Sequence, residues 1–281
     1  MKKFVYNGDM KNVAKKSNTM DILQRYSLTA SKKFGQNFLI DPNIIEKIVT
    51  SSDITEKTAV IEIGPGIGAL SEGLARKAGK LICYEIDERL KPVLKETLAE
   101  HENVDIIFQD FMKADLDQCV KELSKDYDDI CVVTNLPYYI TTDIIMKVLK
   151  SQSSINRMIA MVQKEVALKF TSEEKSPMRV MIDYVGNISY VMTVSKNVFM
   201  PAPHVDSAVI RINKERNLEE SFIEVVEGAF KQKRKTILNN MKALFDNPQD
   251  VLATCHIDAK KRAQELTLED YCALAQERKR V

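Results

Sequence analysis

The chain has 281 residues, of which 44% are hydrophobic, and its 41 basic residues nearly balance 40 acidic ones. This length predicts one large domain with a smaller one, and the hydrophobic content is ordinary for a fold with a sizeable core. No apolar run approaches the roughly 20 residues that a membrane-spanning helix requires, so the sequence predicts no spanning segment and no membrane partner.

The first 28 residues form a basic tail without the apolar segment that a secretion signal carries. We expect residues 1–28 to be mobile and at most partly helical. A helix is predicted to begin at Asp41-Pro42, because aspartate is a good N-cap and proline suits the first turn. The apolar residues that follow at helical spacing are Ile44, Ile45, Ile48 and Val49.

A buried strand predicted over residues 59–63 runs directly into Gly64-Pro65-Gly66-Ile67-Gly68, and a helix is predicted over residues 69–76. Glycines in such a strand–turn–helix unit let a ligand approach the backbone closely. An NAD site would also fit this order of elements. The third glycine, however, comes one place early for the dinucleotide pattern, and Pro65 lacks the N–H that a pyrophosphate would use. Both details favour S-adenosylmethionine, which carries no phosphate.

Acidic residues follow the next two predicted strands. The apolar run 81–84 ends at Glu85, and the strand predicted over 104–108 is followed by Gln109-Asp110. An acid at the tip of the second strand can accept two ribose hydroxyls. Asp110 can accept a hydrogen bond from an adenine amine, although a helix N-cap is the alternative explanation for it. Because ligands bind at the carboxyl ends of parallel strands, the sequence predicts one nucleoside site there.

A fourth strand, predicted over residues 130–134, is followed by Asn135-Leu136-Pro137-Tyr138. This tetrad suits chemistry on a planar exocyclic amine, whose lone pair is delocalised into the ring. The Asn135 side-chain oxygen and the Leu136 carbonyl can accept both N–H bonds and thereby free the lone pair. Pro137 stiffens the turn, and Tyr138 offers a face on which a flipped base can stack. An ordinary strand-to-helix turn is the alternative, since asparagine and proline are common there.

Together these motifs resemble the rRNA adenine N6-dimethyltransferase family, most closely its KsgA/RsmA branch. The resemblance rests on residues 33–41, 62–70, 85–87, 135–138 and 199–209. The related Erm antibiotic-resistance enzymes usually have Gly-Thr-Gly, Asn-Ile-Pro-Tyr and Val-Asn-Ser at the corresponding places. Pro65, Leu136 and Asp206 agree instead with the housekeeping branch.

The resemblance implies an α/β, Rossmann-like class I S-adenosylmethionine-dependent methyltransferase fold with a seven-stranded mixed sheet. This domain would occupy residues 29–215, and a small all-helical RNA-binding domain would occupy residues 216–281. Strands predicted over 188–194 and 207–212, and helical periodicity from residue 218 onward, agree with this division.

The resemblance also implies a role for each site residue. The cofactor would be bound by Gln36, Asn37, Leu39, Gly64, Gly66, Glu85, Ile86, Asp110 and Asn135. The tetrad from Asn135 to Tyr138 would be catalytic, and Tyr138 with Phe199 would hold the target base. The implied substrate is a pair of neighbouring adenines in the 3′-terminal hairpin loop of small-subunit (16S) rRNA, each receiving two methyl groups. The implied partner is an immature 30S particle, and we expect a monomer.

Basic residues cluster in two places although the net charge is only +1. One cluster is the N-terminal tail, and the other, on a predicted helix with Asn239 and Asn240, contains Lys231, Lys233, Arg234, Lys235 and Lys242. Such clusters are most often solvated faces. Because phosphate contacts position a nucleic-acid substrate, clusters that flank a base-modifying site favour RNA binding, with Lys233, Arg234 and Lys235 as the expected contacts.

The five cysteines include no Cys-x-x-Cys pair, and the three histidines are isolated. We therefore expect reduced thiols, no metal site and a cytoplasmic location. Two departures from the family pattern lie away from the cofactor motifs. Asp143 stands where many relatives have proline, and residues 171–181 lack the expected Tyr-Gly-x-Leu-Ser pattern, so the sequence leaves the shape of this loop open.

Two other functions fit parts of the sequence. A ribosome-assembly factor would recognise the immature subunit, with methyl transfer as an incidental activity, and a dehydrogenase would use the glycine-rich turn for NAD. The intact tetrad and Glu85 argue against loss of methyl transfer. Protection by S-adenosylmethionine would exclude the dehydrogenase, and a fluorescence titration with NADH would support it.

Overall fold

The structure is a computed structural model that describes residues 13–31, 34–135 and 138–280. Within these residues the strands are β1 (Phe38–Leu39), β2 (Thr58–Ile63), β3 (Lys80–Glu85), β4 (Val104–Phe108), β5 (Asp129–Asn135), β6 (Arg157–Gln163), β7 (Gly186–Val194), β8 (Phe199–Met200) and β9 (Ser207–Lys214). The helices are α1 (Lys16–Arg25), α2 (Pro42–Ser51), α3 (Ala69–Ala75), α4 (Lys91–Thr97), α5 (Leu116–Leu123), α6 (Tyr138–Lys150), α7 (Lys164–Thr171), α8 (Pro177–Val185), α9 (Glu220–Phe230), α10 (Ile237–Met241), α11 (Pro248–Thr254) and α12 (Leu268–Lys279).

The main sheet has the strand order β4-β3-β2-β5-β6-β9-β7 and contains seven strands among the described residues. From β4 to β6 the strands are parallel, whereas β9 runs antiparallel to both of its neighbours. The order reverses at β2, which lies between β3 and β5, and open α/β sheets bind ligands at such a switch point. The predicted seven-stranded mixed sheet is therefore confirmed, and so are the predicted strands.

Helices cover both faces of this sheet, which explains why its central strands are apolar along their whole length. Every residue of β2 is buried, with Ala59, Ile61 and Ile63 in the core on one face and Val60 in the core on the other. Helix α2 begins as predicted, because the Asp41 side chain accepts a hydrogen bond from the Asn43 amide at 2.9 Å.

A second, two-stranded sheet was not predicted from the sequence. In it, β1 pairs antiparallel with β8, so that Leu39 lies opposite Phe199 and Phe38 opposite Met200. The Ile40 amide extends the contact with a 2.8 Å hydrogen bond to the Val198 carbonyl. This pairing joins the segment before α2 to the proline-containing loop before β9, and it brings both to the carboxyl edge of the main sheet.

The part of the tail that the structure describes is docked, contrary to the expected mobility of residues 1–28. Val13 and Ile22 are buried in the same core as α3, and the Val13 amide donates to the Glu72 carboxylate at 3.3 Å. Arg25 forms a 2.8 Å ion pair with Glu96. The apolar residues among these basic ones provide the buried face. Lys2, Lys3 and Lys11 of the basic tail, and Lys32 and Lys33 after it, lie outside the described residues.

The C-terminal helices pack on the sheet domain and share one apolar core with it. Tyr184 of α8 stacks on Phe222 of α9 with ring centroids 3.9 Å apart, and α9 also packs against α12. The loop that departs from the family pattern ends where Ser176 caps α8, and Arg179 ties it down by donating to the Phe170 and Ser172 carbonyls at 3.1 and 3.0 Å. The proposed division at residue 216 stays a prediction.

Cys83 and Cys131 lie buried in β3 and β5, which correspond to the apolar run 81–84 and the strand predicted over 130–134. Across the described ranges, none of the helices has the length and apolarity needed to cross a membrane.

Candidate active site

A cleft opens at the carboxyl edge of the main sheet and encloses about 1140 Å³ of free space, counting its open mouth. Of the residues predicted to bind a cofactor or a base, the following line the cleft: Gln36, Asn37, Leu39, Gly64, Gly66, Glu85, Ile86, Asp110, Asn135, Tyr138 and Phe199. Segments that are far apart in the sequence therefore meet in one site.

The glycine-rich turn between β2 and α3 has a backbone that other residues rarely adopt. Gly64, Gly66 and Gly68 have φ values of 73°, 60° and 89°. A Cβ on Gly66 would lie 3.4 Å from the Phe38 ring, and one on Gly68 would lie 2.7 Å from the Thr97 hydroxyl. All three φ values lie in the left-handed region that favours glycine, and at Gly68 a Cβ would also collide with the Thr97 hydroxyl. Gly64 and Gly66 let the backbone itself line the cleft.

The carboxylate of Glu85 is held in one orientation at the end of β3. One oxygen accepts the Gly66 amide at 3.1 Å, and the other accepts the Asp87 amide at 2.8 Å. Glu85 is only 4% exposed, and burial raises its pKa although both amides oppose the rise. Because the Gly66 N–H already donates to Glu85 and Pro65 has no N–H, the turn offers little to a pyrophosphate, and the geometry favours a ligand that ends in ribose hydroxyls.

A hydrogen-bonded network that sequence reasoning missed closes one side of the cleft. The Gln36 side chain donates to Asp87 at 2.9 Å and accepts the Ser31 amide at 2.9 Å. Asp87 also accepts two hydrogen bonds from the Arg89 guanidinium, which lowers the pKa of Asp87. Gln36 thus anchors the segment before β1 to the loop after Glu85. The adjacent Glu85-Ile86-Asp87 motif was the available signal for this network.

Asp110 lies at the cleft after β4, and it also caps a short 3₁₀ turn. Its Oδ1 accepts the Met112 amide at 2.9 Å. Asp110 is therefore an N-cap, as the alternative explanation proposed, but this role does not exclude a contact with a ligand. A carboxylate has a second oxygen, so the cap leaves Asp110 able to accept a further hydrogen bond within the cleft.

Asn135 and Tyr138 are held at the junction of β5 and α6. Asn135 is the last residue of β5, opposite Met161 of β6, and Tyr138 is the first residue of α6. The Tyr138 hydroxyl lies 2.8 Å from the Ser207 hydroxyl, which fixes the ring as one wall of the cleft. Ser207 belongs to the 199–209 motif, but no role was predicted for it. Leu136 and Pro137 lie outside the described residues.

An apolar rim surrounds the mouth of the cleft. Ile86, Met112 and Tyr139 are 49%, 38% and 67% exposed, and Phe199 is buried deeper in the wall. Large apolar side chains at an opening are suited to contact a planar ring that enters from solvent.

Glu62 is a buried acid that also borders the cleft. It is 1% exposed, and its Oε2 accepts the Cys83 thiol at 3.4 Å. Burial raises the pKa of Glu62 to about 7. The folded protein therefore retains a proton on Glu62 that the unfolded chain releases near pH 4.5, so stability decreases as the pH rises from about 4.5 to about 7.

Replacing Glu62 by glutamine should remove this pH dependence. We expect the loss of unfolding free energy between pH 5 and pH 8, measured by urea denaturation, to be smaller in Glu62→Gln by about 2 kcal/mol. The exposed Glu46→Gln substitution is the matched control and should behave like the wild type. An identical decrease in wild type and Glu62→Gln would show that Glu62 titrates normally.

The second basic cluster lies away from the cleft. Lys231, Lys233, Arg234 and Lys235 are exposed in the turn between α9 and α10, and none of them borders the cleft. The prediction that they lie on a helix is wrong. Helix α9 ends at Phe230, and the buried Asn240 of α10 stabilises the turn by donating to the Ala229 and Gln232 carbonyls at 2.6 and 3.3 Å.

Among the residues that the structure describes, no group of His, Cys, Asp and Glu side chains is arranged to hold a metal ion.

This fold and this site define the class of S-adenosylmethionine-dependent methyltransferases. The chain belongs to the ribosomal RNA adenine dimethylase family, whose model matches residues 27–279. It is 42% identical to the ribosomal RNA small subunit methyltransferase A of Anoxybacillus flavithermus, over 95% of this chain and 96% of the relative. It is 43% identical to the protein of the same name from a Geobacillus species, over 94% of this chain and 97% of the relative.

Two solved structures agree with the fold. The 23S rRNA methyltransferase ErmE is 27% identical and superimposes with a TM-score of 0.65, covering 85% of this chain and 98% of its own. A Plasmodium falciparum dimethyladenosine transferase, 23% identical, has a TM-score of 0.71 with 86% and 98% coverage. Family membership thus decides the choice of cofactor in favour of S-adenosylmethionine over NAD, and it makes RNA the substrate.

Proposed function

We propose that this protein dimethylates the N6 amines of two adjacent adenines in the 3′-terminal hairpin loop of 16S rRNA during small-subunit biogenesis. One observation carries the proposal: Asn135 and Tyr138 share a single cleft with Glu85 and the glycine-rich turn. A base-binding wall thereby adjoins a nucleoside site. The relatives named above, which cover nearly all of the chain, support the small subunit as the target.

The cleft residues fit S-adenosylmethionine. Both Glu85 oxygens are already oriented by backbone amides, so that lone pairs remain for two ribose hydroxyls. The bare turn at Gly64 and Gly66 accommodates the methionine portion, and Asp110 accepts the adenine amine. Gln36, Asn37 and Leu39 cover the cofactor from the side of β1, and Ile86 packs against the adenine.

When bound, the cofactor would supply a methyl group attached to a sulfonium sulfur. Transfer of that methyl group leaves a neutral thioether, a good leaving group that needs neither a metal nor an acid. The protein therefore contributes positioning and polarisation of the amine. The Asn135 side-chain oxygen would accept one N–H bond of the amine, and the Leu136 carbonyl, outside the described residues, is expected from the family resemblance to accept the other. This polarisation would free the nitrogen lone pair for methyl transfer. Tyr138, fixed by Ser207, would stack on the flipped adenine, and Phe199 would form another wall of the base pocket.

The proposed partner is an immature 30S particle, which the protein meets in the cytoplasm as a monomer. Mapping N6-dimethyladenine in small-subunit rRNA from cells with and without this gene tests the target directly. Modification that persists in cells lacking the gene would rule this target out.

We propose that the turn between α9 and α10 grips rRNA phosphates outside the target loop. Lys233, Arg234 and Lys235 are exposed in this turn. Asn240 stabilises the turn by donating to the Ala229 and Gln232 carbonyls. A stabilised turn presents its charges together, so less side-chain and backbone freedom is lost when phosphates bind.

Replacing Lys233, Arg234 and Lys235 together by alanine should weaken binding to pre-30S particles and flatten its salt dependence. If each residue neutralises one phosphate, the slope of log affinity against log salt should fall by roughly 0.7–0.9 for each lost contact. Binding of S-adenosylmethionine should stay unchanged.

A second triple variant, with Lys57, Lys77 and Lys125 replaced by alanine, removes the same amount of charge. These lysines lie in the loops before β2, β3 and β5, at the edge of the sheet opposite the cleft. It should keep the wild-type slope. Equal slopes in the wild type and the Lys233–Lys235 variant would identify the basic turn as a solvated surface.

A further inference from the structure

The ammonium group of Lys147 in α6 is engaged by three backbone carbonyls. Its Nζ donates to the Phe111 oxygen at 2.7 Å, to the Met112 oxygen at 3.0 Å and to the Ala114 oxygen at 2.6 Å. It also lies 5.1 Å from the centroid of the Phe111 ring. Three donors therefore meet three acceptors, and a cation–π contact adds to them.

These carbonyls belong to the 3₁₀ turn that follows β4, at the cleft. Asp110 caps the start of the turn by accepting the Met112 amide, and Phe111 and Met112 themselves line the cleft. Carbonyls at the end of so short a turn have few intrahelical partners, so Lys147 satisfies groups that water would otherwise solvate. Asp110 caps one end of the turn, and Lys147 binds the other.

The anchor lies on the helix that begins at the catalytic tetrad. Tyr138 is the first residue of α6, and Lys147 projects from the same helix to the turn after Asp110. Lys147 is half-buried, and burial lowers its pKa while Asp110, Asp115 and Asp117 act in the opposite direction. The Lys147 side chain thus connects α6, which begins at the catalytic tetrad, to the 3₁₀ turn that follows Asp110.

We propose that Lys147 is a positioning residue that sets Asp110 against the adenine amine of the cofactor and so determines selectivity for the 6-amino group. The inference rests on the proposed function, in which Asp110 accepts that amine. A cofactor analogue without the 6-amino group makes no such hydrogen bond. The ratio of the affinities for the cofactor and for the analogue without the 6-amino group therefore reports the position of Asp110. A general loosening of the cleft would instead lower the affinity for both ligands.

The test measures calorimetric Kd values for S-adenosylhomocysteine and for its analogue that lacks the 6-amino group. The wild type should favour the amino form by roughly 10- to 100-fold, the value of a hydrogen bond to a charged acceptor. Asp110→Ala should abolish this preference. Lys147→Met should reduce it to within about 3-fold of unity while changing the Kd of the deamino analogue by less than about 3-fold, and Lys147→Arg should restore part of it.

Lys150→Met, which removes an exposed charge one turn farther along α6, is the matched control and should keep the wild-type preference. If Lys147→Met does not fold, Lys147→Gln, which retains two donors without the charge, carries the same expectation. Equal losses of affinity for both ligands, or an unchanged preference, would overturn the positioning role. A preference that survives Asp110→Ala would instead refute the adenine contact of the proposed function.

Discussion

Replacing Asn135 by alanine is expected to lower methyl transfer by a factor on the order of 100 or more while leaving the affinity for S-adenosylmethionine nearly normal. The adenine N6 is a poor nucleophile because its lone pair is delocalised. The Asn135 oxygen stabilises the nitrogen as it becomes tetrahedral, so the lost interaction belongs mainly to the transition state. Single-turnover transfer to small-subunit particles, with cofactor binding measured separately, distinguishes the two effects.

Asn43→Ala provides the control, because it makes the same change on an exposed residue of α2. It should transfer methyl groups at the wild-type rate. If Asn135→Ala retained activity within a few-fold of the wild type, Asn135 would have no catalytic role, and the strand-to-helix turn would be only structural.

Replacing Glu85 by alanine should instead weaken cofactor binding by about 1–3 kcal/mol, which corresponds to a roughly 5- to 150-fold higher Kd. Two ribose hydroxyls would lose their charged acceptor. The Gly66 and Asp87 amides, which Glu85 now accepts, would lose theirs as well. The transfer rate at saturating cofactor should fall much less than in Asn135→Ala, because Glu85 contacts the ground state and the transition state alike.

Calorimetry with S-adenosylmethionine tests this prediction, and Glu88→Ala, an exposed neighbour in the same loop, is the matched control. An unchanged Kd in Glu85→Ala would show that the acid at the end of β3 does not hold the ribose.

Much of the site was predictable because its residues follow strands whose periodicity is strong. Gly64, Glu85, Asp110 and Asn135 each follow or end a parallel strand, and parallel strands carry their carboxyl ends to one edge. Once the strands were recognised, the meeting of these residues in a single cleft followed from topology alone. Family membership then confirmed methylation of rRNA adenine, whereas the catalytic role of the tetrad stays a prediction.

The contacts that sequence reasoning missed are formed between segments that are distant in the chain. The pairing of Leu39 with Phe199 and the hydrogen bond from Gln36 to Asp87 depend on tertiary approach, which no local period encodes. The anchoring of Phe111 by Lys147 is of the same kind, since a lysine on a helix is ordinarily solvated. The docking of α1 and the turn before it was not predicted, because buried Ile22 and Val13 are surrounded in the sequence by basic residues that are typical of a solvated tail.

The most direct test of the account is methyl transfer by the purified protein to small-subunit particles from cells that lack this gene. Labelled S-adenosylmethionine and mass spectrometry of the 3′-terminal hairpin would report the number and position of the methyl groups. We predict two methyl groups on the N6 of each of two adjacent adenines and none on particles already modified. Tight particle binding and normal cofactor binding without transfer would contradict the account and favour a ribosome-assembly factor.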